Sequence, residues 1–149
     1  MNPGKNLRPR TFRKYRPLFH TADVAYRIRG ASLAEIYENA AYALVATMTD
    51  RRRLRPREIR NLEVSAPDRE ALLVEWLNHL LYLYDVEGFL GRRFQILTLD
   101  HENLKARAWG EPFDPTRHVA KSAVKAATYH HLEISPRDHG WQATVILDL

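Results

Sequence analysis

An α+β fold, with two helices packed on a largely antiparallel or mixed sheet in one domain, follows from three features of this chain. A capping-box pattern, Ser32-x-x-Glu35, opens a stretch whose apolar residues recur at helical spacing. A second stretch of that kind begins after Pro67-Asp68 and is apolar over more than a narrow stripe. Beyond Gly88 the chain becomes a series of short β-prone runs separated by polar, turn-like segments.

Taken in order, Tyr15–Phe19 and Val24–Arg29 read as two short strands. In the second, Val24, Tyr26 and Ile28 share one face, Asp23, Ala25, Arg27 and Arg29 share the other, and Gly30 ends the run. The first helix is expected over Leu33–Met48, burying Leu33, Ile36, Tyr37, Ala40, Leu44 and Met48. The segment TDRRRLRPRE is a polar loop, and Ile59, Leu62, Val64 and Ala66 mark a strand of imperfect alternation. The second helix, DREALLVEWLNHLLYLYDVEG, carries Leu72, Leu73, Trp76, Leu77, Leu80, Leu81, Leu83 and Tyr84, too many for one stripe, so it belongs at the centre of the core. Gly88 supplies its stop. Strands follow at Phe94–Leu99 and Leu104–Trp109 around the turn DHEN. After the loop GEPFDPTRH come Val124–Ile134, the turn SPRDHG and a final strand Trp141–Leu149.

The 149 residues suit a single domain with a substantial core, and 45% hydrophobic with 28% charged residues is a globular composition. No cysteine is present, which excludes disulfides and thiolate metal sites and fits a reducing cytoplasm. The start is basic with no apolar run behind it, so no signal peptide is expected, and no stretch reaches membrane-spanning length. The net charge of +5 is local: six of the 23 basic residues lie in positions 1–17, leaving 17 against 18 acids elsewhere. The domain is accordingly drawn as 15–149, preceded by a basic extension, 1–14, expected to be solvated and poorly ordered. Such an arm can also attract RNA phosphates in a salt-dependent way.

Nucleotide and hydrolase signatures are missing: there is no phosphate loop, no dinucleotide fingerprint and no nucleophile elbow. The seven histidines form no zinc motif; His130 and His131, being adjacent on a strand, should point to opposite faces. His79, His101, His118 and His139 read as surface or hydrogen-bonded histidines.

The carboxylates carry more information. Asp23 stands at a strand start, where aspartate is disfavoured, and Asp148 stands in VILDL, on the less apolar face with Gln142, Thr144 and Ile146. Leu149 adds main-chain oxygens at the same place. Spacing alone leaves two readings open. Either Asp23 makes an Asx turn while Asp148 solubilises the chain end, or the two converge on a hard cation, Ca²⁺ or else Mg²⁺ or Mn²⁺. His20 reads as a neighbour shaping the turn rather than a ligand.

The run HTADVAYRIRGASLAEIYENAAYALVATMTD resembles the opening of the archease family, and the resemblance continues through LLVEWLNHLLYLYDVEG, GEPFDPTRH, VKAATYHHLEI and VILDL. It spans roughly Tyr15 to Leu149, in order. It implies a cytoplasmic accessory protein rather than an enzyme. Its partner would be the GTP- and metal-dependent RNA ligase of tRNA splicing and RNA repair, whose guanylylation and multiple turnover it promotes and whose nucleotide use it broadens. It also implies a divalent-cation site, usually assigned as calcium, at positions matching Asp23, Asp148 and the main-chain oxygen of Leu149. Lys121 and Lys125 become candidates for contact with phosphate or with the ligase, against the plainer reading of solvated strand-edge lysines. Two alternatives stand beside this reading: a general chaperone or RNA-binding modulator using the basic extension, and, with less support, a small metal-dependent hydrolase.

Overall fold

The capping box at Ser32 forms as its residues require. The Ser32 hydroxyl accepts from the Glu35 N–H at 3.2 Å, and the Glu35 carboxylate reaches back to the Ala31 N–H at 2.9 Å. This fixes the start of α1, Leu33–Met48, at the expected boundary. The computed structural model describes residues 23–149; the expected strand Tyr15–Phe19, His20 and the extension 1–14 lie outside the described residues.

Before α1 runs β1, Asp23–Gly30, in which Val24, Tyr26 and Ile28 turn inward as the alternation predicts. The polar loop after α1 holds one turn of 3₁₀ helix, Arg51–Arg53, because the Asp50 side chain accepts from the Arg52 N–H at 3.1 Å and caps it. Then follow β2, Glu58–Ser65, and α2, Arg69–Glu87. Asp68 caps α2, accepting from the Ala71 N–H at 2.8 Å. Gly88 ends it in the left-handed conformation at φ 71°, which a side chain would strain.

The remaining strands are β3, Phe89–Leu99, β4, Asn103–Pro112, β5, Ala126–Arg137, and β6, Gly140–Asp148. β3 starts five residues before the expected boundary, at once after the helix stop. The turn expected over SPRDHG contracts to Asp138-His139, both at positive φ, while Pro136 stays in the ladder opposite Trp141. A two-residue hairpin with positive φ at both positions matches strand twist, and that gain outweighs the poor β-propensity of proline beside it.

Every pairing is antiparallel. Among the described residues the strands make two three-stranded sheets, ordered β1-β6-β5 and β2-β4-β3. The two helices pack onto both. α2 is central as its wide apolar surface demands, with Leu72, Leu73, Trp76 and Leu77 fully buried. The Trp76 indole donates to the Tyr37 carbonyl at 2.9 Å, and the Tyr37 hydroxyl donates to the Arg69 carbonyl at 2.7 Å, so a polar tie fixes one helix against the other.

Helix side chains also close two strand edges. Glu38 accepts from the Ile96 N–H at 2.8 Å and the Tyr42 hydroxyl accepts from the Phe94 N–H at 3.1 Å, which satisfies the free edge of β3. Asn78 of α2 does the same for β5, accepting from the Ala127 N–H at 2.8 Å and donating to its carbonyl at 3.3 Å.

Candidate metal centre

Asp23 and Asp148 meet because the first described strand pairs with the last. The antiparallel register of β1 and β6 sets Asp23 directly opposite Asp148, Val24 opposite Leu147 and Tyr26 opposite Val145. Leu147, Val145 and Ala143 are buried, which turns the intervening positions, Asp148 among them, to the other face together with their β1 partners. The hydrophobic alternation of two strands therefore delivers two carboxylates to one spot.

Like charges directly opposite one another in a ladder repel, and this pair shows the effect. Partial burial, a hydrogen bond with Asp23 and the Asp23 charge all push the Asp148 carboxyl above its ordinary value, while the Lys125 ammonium pulls it down. A cation placed between the two carboxylates would remove that repulsion. Lys125 is anchored beside the pair, its peptide N–H donating to the Asp148 carbonyl at 2.8 Å.

Among the described residues the candidate donors at this tip are oxygens, which fits calcium, magnesium or manganese better than structural zinc. Among the described residues no three His, Asp or Glu side chains converge. A cation held by Asp23 and Asp148 would therefore complete its shell with main-chain oxygens, those of Leu149 being next along the chain, and with water.

The two candidate lysines part company. Lys121 lies at the end of α1, its ammonium donating to the Ala46 carbonyl at 3.2 Å and its N–H to the Met48 carbonyl at 2.9 Å. It serves the orphaned carbonyls of a helix terminus, whereas Lys125 faces the acidic pair. The adjacent histidines depart from the expected geometry. A bulge between Thr128 and Glu133 breaks the β5 register, His131 takes φ 55°, and the rings of His130 and His131 lie 3.9 Å apart instead of on opposite faces.

A second carboxylate site escaped the sequence reading. Glu111, only 2% exposed, accepts from Arg117 at 2.8 and 3.2 Å, from the Arg55 N–H at 2.8 Å and from His118 Nε2 at 2.9 Å. His118 Nδ1 accepts from the Asp114 N–H at 2.8 Å, which leaves Nε2 as the donor to Glu111. Burial pushes the Glu111 carboxyl up, yet the donors from Arg117, Arg55 and His118 outweigh it and bring it down to about 2. The block GEPFDPTRH contains Glu111, Arg117 and His118, but Arg55 lies far away in sequence and no spacing signals it.

Two helices against antiparallel strands, with a pair of facing carboxylates where the first and last described strands meet, define an α+β domain with an acidic tip. The chain belongs to the archease family, whose sequence model matches residues 15–149. It is 40% identical over 141 residues to the archease of Thermococcus gammatolerans, covering 92% of this chain and 99% of that protein. It is 39% identical over 132 residues to the archease of Sulfurisphaera tokodaii, covering 87% and 94%. The solution structure of Methanobacterium thermoautotrophicum protein 1598 superposes with a TM-score of 0.74 at 36% identity, covering 87% of this chain and 94% of that one. The crystal structure of a Thermotoga maritima archease, described as a possible chaperone, shares the fold with a TM-score of 0.62 at 22% identity, covering 90% and 96%. Among the described residues no helix is long and apolar enough to cross a membrane.

Proposed function

We propose that this chain is a cation-binding accessory protein that activates the GTP-dependent RNA ligase of tRNA splicing and RNA repair in the cytoplasm. It promotes guanylylation of the ligase and its multiple turnover, and it widens the choice of nucleotide. The observation that carries this reading is the Asp23–Asp148 pair, set face to face by the β1–β6 register in a member of the archease family.

The chain's own residues do three things here. Asp23 and Asp148 present a concentrated negative charge at an exposed strand end, where a partner can reach it. The Lys125 ammonium limits that charge and stands ready to meet a phosphate beside it. The ladder beneath holds the pair rigid, so little ordering is needed on docking. A bound Ca²⁺, or Mg²⁺ or Mn²⁺, would supply a Lewis-acidic centre able to orient nucleotide phosphates.

The test is ligase guanylylation with purified components. Asp23→Ala and Asp148→Ala proteins are expected to lose stimulation while retaining the wild-type melting profile. Full stimulation by either variant would sink the proposal.

A further inference from the structure

The outer face of the β2-β4-β3 sheet has a composition that neither the core nor the acidic tip explains. Along β4 the residues Leu104, Ala106 and Ala108 are buried in the core, so Lys105, Arg107 and Trp109 point the other way. The register places Trp109 in a row between Ile59 of β2 and Arg93 of β3, and Arg107 in the next row between Asn61 and Gln95. Ile59 is 52% exposed, and Asn61, Arg93 and Gln95 are exposed as well, so no described element covers this face.

A half-buried indole stands in the middle of this open sheet, with the Arg93 guanidinium 4.3 Å from its ring centre. Neither Arg93 nor Arg107 has an acidic partner among the described residues; Arg107 donates to the Asn61 side chain at 3.2 Å. The next outward position on β4 is Glu111, which is covered by the arginine-rich segments that bind it. Beside it lies a cleft of about 400 Å³ lined by Arg52, Arg53, Leu54, Arg55, Thr116 and Arg117, in which Asp50 pairs with Arg52 and Arg53, Glu111 and Asp114 pair with Arg117, and the arginines outnumber these acids. Arg57 approaches the already saturated Glu111 at 3.6 Å and remains exposed. The exposed sheet is thus bordered at one end by positive charge.

We propose that this face binds single-stranded RNA, with Trp109 as the stacking platform, Arg93 and Arg107 flanking it, and the arginine cleft receiving the backbone phosphates. The combination of an open sheet, one central aromatic, a guanidinium stacked on it, a second guanidinium beside it and side-chain amides is what unpaired bases require, and three strands accommodate about two or three of them. A protein partner would need a larger apolar centre than Ile59, Leu97 and one indole provide. A duplex would hide the base faces that the indole can stack on. This goes beyond the activator reading and requires neither the cation nor the ligase.

The experiment is fluorescence anisotropy of a short fluorescein-labelled oligouridylate, titrated at several salt concentrations with the full chain and its variants, without divalent cation. Trp109→Ala is expected to weaken binding about tenfold, and Trp109→Phe to retain most of it. Arg93→Gln and Arg107→Gln, at surface positions, should each weaken binding a few-fold and lower the salt slope by about 0.7, which carries the test even where Trp109→Ala lowers stability. Absence of binding by the wild-type chain at low salt would overturn the proposal. Unchanged affinity in the Trp109 and arginine variants would also overturn it. That includes the case in which binding is lost only when Lys5, Arg8, Arg10, Arg13 and Lys14 are replaced by serine. With no ligase or cation in the titration, a negative result leaves the activator reading standing.

Discussion

Glu111 and Asp148 are both carboxylates on sheet strands, and their surroundings are opposite. Glu111 is buried among donors, with a guanidinium, a peptide N–H and an imidazole meeting its two oxygens. Asp148 is less buried but faces another carboxylate across the ladder. One acid is held well below its ordinary pKa and the other above it. A buried acid whose lone pairs are filled has finished its work inside the fold. An acid left facing its own kind, with only the Lys125 ammonium to offset it, keeps unspent attraction for a further positive charge, and that difference separates a structural carboxylate from a candidate site.

The comparison breaks most visibly at Glu111. Glu111→Ala leaves Arg117, the Arg55 N–H and the buried His118 without their common acceptor, and should cost about 3–5 kcal/mol. Thermal denaturation would register this as a fall of roughly 10 °C, with the acidic tip unaltered. A loss within experimental error would show that the arginines re-pair with solvent and that Glu111 is dispensable.

A cation should sharpen the other half. Wild-type protein in Ca²⁺ at a hundred times its dissociation constant should gain about 2.7 kcal/mol, read as a rise in melting temperature. Asp148→Asn should show no such rise. Equal stabilisation of both proteins would place the ion elsewhere.

The smallest effects concern protons. Glu111 has a folded pKa of about 2 against 4.5, so its stabilisation is complete above about 4.5 and fades as pH falls through about 2. Asp148 has the reverse sign. Its raised carboxyl favours the folded state at low pH, and that contribution is lost as pH rises through the raised value. In chelator, Asp148→Asn should therefore melt slightly higher than wild type at neutral pH, and Glu111→Gln should flatten the acid limb of the stability curve. Melts across pH would test both signs at once.

The helices were legible because their boundaries rest on local chemistry. Ser32 with Glu35, Asp68 and Gly88 each act within one turn, and each acts as its residue type dictates. The late strands were visible as elements, but their ends shifted where a distant partner decided them: β3 gains five residues by pairing with β4, and Pro136 is kept in β5 by Trp141. The division into two sheets depends on the pairing of β1 with β6, which no local pattern encodes. Of the site, the alternation in VILDL and in the first described strand placed each acid on the correct face, and the family resemblance brought them together. Glu111 was invisible because Arg117 and His118 reach it only through the fold of their loop, and Arg55 comes from a segment far away in sequence. The close approach of the His130 and His131 rings escapes the alternation pattern because a bulge, not a regular strand, carries them.

The β1–β6 pairing has a kinetic consequence. Asp23 and Asp148 are 125 positions apart, so nearly the whole chain must be in place before the two acids become neighbours. Closing so long a loop is entropically expensive and belongs to the late, non-local part of folding. A cation that needs both residues finds no binding site in a half-folded chain. It should leave the folding rate nearly unchanged and slow unfolding instead, acting as a latch that only a completed molecule can close.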